Sequence, residues 1–599
     1  MKKTSGIFVV ILIIFGSINA IAGFQNLSKE EFFSNVQTHN TWKHDINFSD
    51  PELINKNEYV KIEIKEAKNY IMTPGSPMIP YYSFSTAFPL GTKITEVKCS
   101  HSQAEEIPLS KEVCIVPQLQ WQKNDVFSRS NDKNDVEFSY DITTIDDCYS
   151  YKTGGGLLDG EHVTFLNIHL YPVSLRSDEK KLDFIEEMEI EVYYEEPVNP
   201  LESKDSYSLV MISTNSFSRQ LEPLVDHKNR FGLSSKIVIL DDIYNGKYFP
   251  VQGVDDLEKI KFFIKDSIEN WGTTYVMLVG DISRIPIRYS HVGDRDIPTD
   301  LYFADVFFSD GSFSSWDTND NGRYGEFWQS GGDDVVDLYP DVYIGRLACR
   351  NIFDVRNSVK KIIRYEENTY GQDWYNNLIL VGGDTHPSGN VYEGEVMSEF
   401  IEDIMPEFTP KKLYTSVGTY TPKALTKALN DGAGFMSYSG HGFEISIGTH
   451  PPKSQEWVIY DTNDMLGLLN YNKLPIIFFD ACLTGRLDLT LGSLLNLEFI
   501  KFPIPCFAWS FIKKIFGGGI ATIGATRIAY SWMDENGPHA GCGYLSYHFF
   551  KNYERGTSVA NMLVNSQNHY LDTIWEDPMT VEEFLLFGDP SLKVGGYND

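Results

Sequence analysis

Basic residues are scarce in this chain. Its 599 residues include 51 lysines and arginines against 83 aspartates and glutamates, which gives a formal net charge of −32 at pH 7. Because a phosphate backbone is held by clustered lysine and arginine side chains, this deficit argues against nucleic acid as a partner. The acidic surface favours solubility and selects no specific ligand.

Long apolar runs are also missing, apart from Ile7–Phe15 behind Lys2 and Lys3. That run is too short to span a bilayer stably. Small residues follow it at Ala20-Ile21-Ala22, as a signal peptidase requires. Residues 1–22 are therefore predicted to be the signal peptide of an exported protein, and an uncleaved anchor is the alternative.

Cysteine is rare as well, with only seven in the chain. An odd number of thinly spread cysteines is not the pattern of a disulfide framework. At least one thiol is expected to be unpaired, and an unpaired thiol in an exported protein calls for a function.

The chain is too long for a single core and should form several domains. Alternation of apolar and polar residues from Val60 to Ile64 and from Met188 to Val192 predicts half-buried strands. Residues 23–205 are therefore expected to form a β-rich domain. A linker is predicted at its end, where Pro197 and Pro200 interrupt the pattern.

Beyond this linker, strand-like apolar runs alternate with amphipathic helical patterns. Strands are predicted at 208–212, 236–240, 275–279, 342–344 and 378–381, and helices around 257–268, 355–365 and 421–429. This rhythm is typical of βαβ units and predicts an α/β fold with a mostly parallel sheet flanked by helices. We expect two subdomains, at 206–365 and 366–599.

Two further apolar runs end in small residues that carry one reactive side chain each. Residues 434–439 lead into Gly440-His441-Gly442, and residues 474–480 lead into Ala481-Cys482. In open α/β sheets, ligands bind beyond the carboxyl ends of the strands. A histidine and a cysteine at these ends would face a substrate.

The chemistry of this pair is that of a thiol nucleophile. A thiol attacks a carbonyl as its thiolate, so Cys482 needs a nearby imidazole, and His441 is predicted to supply it and to protonate the leaving amine. The backbone N–H groups of Gly442 and Cys482 are candidates for the oxyanion hole. Asp384, just past another predicted strand, is the candidate that orients the imidazole. Singly, each residue would more often be structural; their combination favours catalysis.

One loop has the pattern of a calcium site. Asp317, Asn319, Asn321 and Glu326 place oxygen atoms around a glycine turn. Trp328 stands where an EF-hand has a bidentate glutamate, so a plain Asn/Asp/Gly turn is the alternative. No cofactor is expected to be required beyond this structural Ca²⁺. Zinc is not expected, because the chain's other histidines lack ligand spacing on a predicted helix, among them His386, His450, His539 and His548.

The segments around His441-Gly442 and Ala481-Cys482 resemble the gingipain family of cysteine peptidases, within the caspase-like clan. Further segments resemble family landmarks, namely Leu278–Asp281, Thr299–Tyr302, Pro340–Arg346, Ile523–Arg527 and Phe587–Ser591. The resemblance covers residues 207–594. The β-rich region before them resembles the family's N-terminal propeptide, notably at 75–80.

This resemblance implies a zymogen that is secreted or held at the cell surface. Its inhibitory propeptide would precede a two-part caspase-like catalytic domain that hydrolyses protein or peptide substrates. Carried over by position, Cys482 is the nucleophile and His441 the acid/base, while Glu393 and Glu395 are alternatives to Asp384. A transpeptidase or surface-protein processing enzyme of the same family, and a non-catalytic surface or adhesion protein, are the competing hypotheses.

Three features have no clear counterpart in that resemblance. An apolar stretch at 487–505 beside the nucleophile would close over the cleft, contact a membrane or simply pack. The acidic residue of a pocket for basic side chains has no evident position, although Thr526–Trp532 is predicted to line the pocket. Activation is expected by cleavage near Pro197–Ser206, after Lys204.

Overall fold

The computed structural model describes residues 41–598, except for 57, 72–75, 117–147, 177–179, 203, 388–390, 498, 535–536 and 575–576. The predicted signal peptide at 1–22 therefore lies outside the described residues.

The N-terminal region is built from small sheets whose strands are antiparallel, except for the parallel pair β3 and β8. Its strands are β1 Thr41–Asn47, β2 Glu52–Asn55, β3 Tyr59–Glu63, β4 Asn69–Tyr70, β5 Pro80–Pro89, β6 Lys93–His101, β7 Glu105–Pro108, β8 Glu112–Val113, β9 Tyr149–Leu158, β10 Glu161–Leu170, β11 Val173–Arg176, β12 Lys181–Phe184 and β13 Glu187–Glu195. Alternate residues of β13, Met188, Ile190 and Val192, are buried in a core that belongs to this region alone.

A ten-stranded sheet forms the centre of the remaining chain. Its strands are β14 Leu209–Ser213, β15 Ser235–Ile239, β16 Tyr275–Val279, β20 Tyr343–Leu347, β21 Asn377–Gly382, β22 Thr409–Tyr414, β23 Phe435–Ser439, β27 Ile476–Asp480, β28 Ala521–Ala525 and β31 Phe584–Phe587. The spatial order is β15-β14-β16-β20-β31-β28-β27-β23-β21-β22. Neighbouring strands run parallel except β28 and β31, which are antiparallel. This is the mostly parallel sheet that the sequence pattern predicts, and its caspase-like form is the one that the family resemblance implies.

Helices cover the sheet. They are α1 Asn215–Arg230, α2 Leu240–Tyr244, α3 Asp256–Trp271, α4 Leu301–Ala304, α5 Ile352–Asn368, α6 Glu393–Ile404, α7 Pro422–Asp431, α8 Leu491–Leu495, α9 Phe507–Lys513, α10 Gly541–Lys551, α11 Val559–Thr573 and α12 Pro578–Glu583. Helix α3 illustrates how the sequence sets the bounds of a helix. Asp255 caps its first turn, and Gly272 ends it with φ of 73°. Ile260 and Ile264 on its apolar face are fully buried.

Smaller strands lie outside the central sheet: β17 Arg288–Val292, β18 Arg295–Thr299, β19 Glu326–Phe327, β24 His441–Phe443, β25 Ser446–Thr449, β26 Val458–Asp461, β29 Ser531–Asp534 and β30 Gly537–Ala540. Sequence periodicity does not predict the β24-β25-β26 sheet, because its strands are three or four residues long. This small sheet begins at His441.

The last strand of the chain joins the two halves of the central sheet. β31 lies between β20, from the first half, and β28, from the second. Beside this junction, Arg346 is fully buried and its guanidinium contacts both carboxylate oxygens of Asp300, at 2.7 and 2.6 Å. The same guanidinium donates to the carbonyls of Gly280 and Ile285. A buried charge is tolerated here because every partner is supplied.

No disulfide joins any of the seven cysteines, all of which fall within the described residues. The closest pair is Cys99 and Cys148, whose Sγ atoms are 3.6 Å apart. Within the described ranges, no helix has the length and apolar character needed to cross a membrane.

Candidate active site

The histidine and the cysteine predicted from the sequence leave neighbouring strands at the same level. Strands β23 and β27 are parallel neighbours, and Ser439 is in register with Asp480. Ser439 Oγ donates to Asp480 Oδ2 at 2.7 Å, which adds a side-chain link to the backbone ladder. His441 lies two residues after Ser439 and Cys482 two residues after Asp480, so the two reactive residues leave the sheet at the same level.

Gly442 brings these two strand ends into direct contact. A Cβ atom at this position would collide with the carbonyl oxygen of Cys482 and would lie 2.9 Å from its nitrogen. Glycine is therefore required by the close approach of two backbones. The same approach puts the two amide groups predicted for the oxyanion hole next to each other, and their role stays a prediction.

The Cys482 thiol faces a backbone carbonyl. Its Sγ donates to the carbonyl oxygen of Ala529 at 3.3 Å. Burial raises the pKa of the thiol to about 12, and the Glu583 carboxyl adds to this increase. At neutral pH the resting cysteine is therefore a neutral thiol.

The His441 imidazole is held by a backbone carbonyl too. Its Nε2 lies 2.9 Å from the Thr385 oxygen. Because a carbonyl only accepts, Nε2 carries the hydrogen and Nδ1 keeps a lone pair for a proton from the thiol. Burial lowers the pKa of His441 to about 4, so the resting imidazole is neutral. The Trp457 ring packs on it with centroids 5.2 Å apart.

The position of Asp384 differs from the prediction that it orients the imidazole. Its Oδ2 accepts from the backbone N–H of Lys453 at 2.8 Å, and its backbone pairs with His450. The carbonyl of the next residue, Thr385, holds the imidazole instead. The Asp384 carboxylate therefore holds the loop after β25, since it accepts a hydrogen bond from the backbone of that loop at Lys453.

Of the two alternatives to Asp384, Glu393 is the one bonded to the segment that holds the His441 imidazole. Its Oε2 accepts from the backbone N–H groups of Thr385 and His386, at 3.1 and 3.3 Å. Glu395 is bonded instead to Thr415 and Ser416. Glu393 therefore fixes the short segment whose carbonyl holds His441.

Sequence reasoning missed Glu583, a carboxyl near the nucleophile. Glu583 is fully buried, and neither of its carboxyl oxygens has a hydrogen-bond partner among the described residues. Burial raises its pKa to about 8. It ends α12, directly before β31, and reaches the site only because that strand runs antiparallel to β28. Nothing in the local sequence around Glu583 signals this placement.

The predicted calcium loop is held together by its own side chains. Asp317 accepts from the N–H groups of Asn321 and Gly322, at 2.9 and 3.0 Å. The side-chain amides of Asn319 and Asn321 both donate to Glu326. In this geometry the amide nitrogens, rather than the oxygens that calcium requires, point at the carboxylate. This arrangement does not favour calcium, and a calcium titration is the test of the site predicted from the sequence.

A cysteine and a histidine on adjacent strand ends of a caspase-like sheet define the class of caspase-like cysteine peptidases. Comparison with known families agrees with that class: the sequence model of peptidase family C25 matches residues 202–595. The match covers about two thirds of the chain, and the chain belongs to this family, whose curated members include the gingipains.

Individual relatives are distant. Gingipain R2 of Porphyromonas gingivalis (strain W83) is 25% identical over 408 residues, which cover 66% of this chain and 47% of the relative. The Lys-gingipain HG66 of the same species is 23% identical over 248 residues, 40% of this chain and 13% of the relative. The chain thus spans about half the length of the first and much less of the second.

Two solved gingipain structures also match the chain. The crystal structure of the Arg-specific cysteine proteinase gingipain R has 24% sequence identity and a TM-score of 0.48, covering 66% of this chain and 80% of that one. A complex of gingipain R pro- and mature domains has 23% identity and a TM-score of 0.46, covering 64% and 79%.

Proposed function

We propose that this protein is a cysteine endopeptidase, made as an exported zymogen, which hydrolyses peptide bonds through an acyl-enzyme on Cys482. The observation that carries the proposal is the register of β23 with β27, because His441 and Cys482 follow the ends of these neighbouring strands. The contact of Gly442 with the Cys482 backbone supports it, because it brings the two predicted oxyanion donors together.

The Cys482 thiol and the His441 imidazole are both neutral before the reaction, and a proton passes between them as it proceeds. As the sulfur attacks the substrate carbonyl, His441 Nδ1 takes the thiol proton, and the resulting imidazolium gives it to the leaving amine. Water then gives a proton to the same nitrogen and attacks the thioester. The bond between the acyl carbon and the Cys482 sulfur breaks, the new carboxyl end leaves, and the imidazolium returns its proton to the sulfur. The Thr385 carbonyl stabilises the imidazolium in both steps, since it accepts from Nε2–H.

The N-terminal domain is proposed to be the inhibitory propeptide. It contacts several segments of the catalytic part, among them residues 337–340 and helix α11. On the first, Gly155 N–H donates to Asp337 at 2.8 Å and Leu157 N–H donates to the Pro340 carbonyl at 2.8 Å. On the second, Asn568 donates to the Leu157 carbonyl at 2.9 Å.

Apolar contacts between the two domains accompany these hydrogen bonds: Leu157 is buried in the core of the catalytic part, and Phe165 stacks on Tyr339 with ring centroids 4.9 Å apart. The linker between them is accessible: Val198 is 93% exposed, and Lys204 is also exposed. Cleavage after Lys204 is proposed to begin activation. N-terminal sequencing of active material tests this step, and a mature start far from residues 197–206 would contradict it.

The activity is tested with a mixed-sequence peptide library, read by mass spectrometry after the N-terminal domain has been removed by limited proteolysis. Wild type and Cys506→Ala should cleave, whereas Cys482→Ala should not. Cys506 is a matched control, because burial raises the pKa of its thiol to about 12 as well. No cleavage by wild type would overturn the proposal.

The products separate hydrolysis from transpeptidation. Hydrolysis in ¹⁸O-labelled water puts the label into the new carboxyl end of the acyl fragment. A transpeptidase would join that fragment to an added amine and leave it unlabelled. Equal turnover by wild type and Cys482→Ala would instead favour a non-catalytic protein and a contaminating peptidase.

A further inference from the structure

Exposed apolar side chains are concentrated in a few segments of the catalytic part. Twenty large hydrophobic residues are exposed in the part of the chain that the structure describes, and ten of them come from four short stretches. These ten are Phe353, Leu466, Leu469, Tyr471, Leu495, Leu497, Phe499, Phe502, Ile515 and Phe516. Exposed apolar residues that cluster together mark interaction surfaces, whereas single exposed apolar residues scattered over a surface are normal.

The apolar insertion after the nucleophile is a folded projection. Leu491 N–H donates to the Phe502 carbonyl at 2.7 Å, and Gly492 N–H donates to the Ile500 carbonyl at 3.0 Å. These bonds fold the stretch back on itself, and its outer part presents Phe499, which is 80% exposed. Arg350 anchors the base through the Pro503 carbonyl, at 2.5 Å. The insertion therefore packs into the protein at its start, where Leu487 and Leu489 are buried, and exposes its apolar side chains between Leu495 and Phe502.

Helix α5 connects this projection to the other apolar stretches. Phe353 lies one turn beyond Arg350 and is 71% exposed. One further turn along, Asn357 donates to the Lys513 carbonyl at 3.1 Å, just before Ile515 and Phe516. Phe516 in turn accepts from the N–H of Tyr471 at 3.0 Å. All four stretches thus adjoin α5 or the turn after α9.

Cations lie between the apolar side chains. Arg356, Lys360 and Arg364 follow Phe353 on the exposed stripe of α5. Lys501 lies on the projection, and Lys513 and Lys514 precede Ile515. None of these six cations forms an ion pair with any residue that the structure describes, unlike many others on this acidic chain. The ten apolar residues and these six cations are called the basic-apolar face below.

We propose that the basic-apolar face docks the protein on an anionic lipid bilayer. Apolar tips that protrude on a loop and a turn suit insertion at the boundary of headgroups and acyl chains. The flanking cations would meet anionic headgroups. The anionic bilayer would repel the rest of the chain, whose net charge is −32, so the protein would bind with the basic-apolar face toward the bilayer. This inference is independent of the peptidase activity.

The test is co-sedimentation of the full chain with vesicles of phosphatidylcholine alone or of phosphatidylcholine mixed with phosphatidylglycerol. Wild type should pellet with the mixed vesicles, less so as salt is raised. The double variant Phe499→Ser/Phe502→Ser and the double variant Lys513→Glu/Lys514→Glu should each weaken binding about tenfold or more. The matched control Val335→Ser/Val417→Ser should bind as wild type, because both valines are exposed outside the face.

Thermal unfolding and light scattering accompany the assay. Unchanged melting temperatures would show that the variants are folded, as expected for exposed positions. No binding to either vesicle, or equal binding by all variants, would overturn the proposal. A wild-type dimer that the phenylalanine variant dissolves, without vesicle binding, would overturn it in favour of contact with a second copy.

Discussion

The alkylation rate of Cys482 should show whether the resting pair is neutral. A cysteine with its ordinary pKa of 9.0 is about 10% thiolate at about pH 8, whereas one with a pKa of about 12 is about 0.01% thiolate. The thiolate population therefore falls about a thousandfold. A more basic thiolate is intrinsically about twentyfold more nucleophilic. The net expectation is that iodoacetamide modifies Cys482 about fiftyfold more slowly than a reference thiol.

The reference is a synthetic peptide of residues 478–486, and modification is followed residue by residue with mass spectrometry across a pH series. Restricted access would also slow the reaction, but it leaves the shape of the pH profile unchanged. With a neutral pair, the logarithm of the rate should rise with pH without a plateau up to the highest pH at which the protein stays folded. His441→Ala should leave the profile unchanged, since the thiol bonds to Ala529.

A plateau that begins near neutral pH would refute this reasoning. It would mean that Cys482 and His441 already form a thiolate–imidazolium ion pair. Loss of that plateau in His441→Ala would then identify the imidazolium as its cause.

Four further predictions concern the surroundings of the site and the fold. Gly442→Ala should abolish peptide cleavage and lower the free energy of unfolding by about 1–3 kcal/mol in urea titrations, because its Cβ would collide with the Cys482 carbonyl; wild-type behaviour would contradict the close approach. Glu393→Gln should lower kcat about tenfold with little change in KM, because Glu393 fixes the segment whose carbonyl holds His441; an effect on KM alone would instead indicate substrate contact. Arg346→Met should cost about 3–5 kcal/mol by leaving Asp300 buried and unpaired, and adding Asp300→Leu should recover most of the loss in the same titrations. Calcium added to chelator-treated protein should leave the melting temperature unchanged, because the Asn319 and Asn321 amides face Glu326 with nitrogen; a rise would instead establish the metal site.

The main strands could be predicted because they are buried on both faces. Their sequences are therefore short apolar runs, and β16 has the bounds that its run predicts. His441 and Cys482 were found by the same signal, since each follows such a run among small residues. The neighbouring positions of β23 and β27 are not visible in either run, because strand order depends on the whole topology.

The groups that hold the reactive side chains could not be predicted. Thr385 and Ala529 act through backbone carbonyls, which every residue possesses. Asp384 was chosen for its place after a strand, but proximity in sequence does not fix where a carboxylate points. Glu583 arrives from the far end of the chain, so no spacing rule connects it with Cys482.

The position of β31 has a consequence for the order in which the molecule is completed. This strand is formed by residues 584–587, late in the sequence, yet it fills the gap between β20 and β28. A chain still emerging from the ribosome or from an export channel would have two partial sheets, each with an open inner edge. The strands before β31 cannot complete the sheet alone, so the central sheet closes only after residues 584–587 have been synthesised.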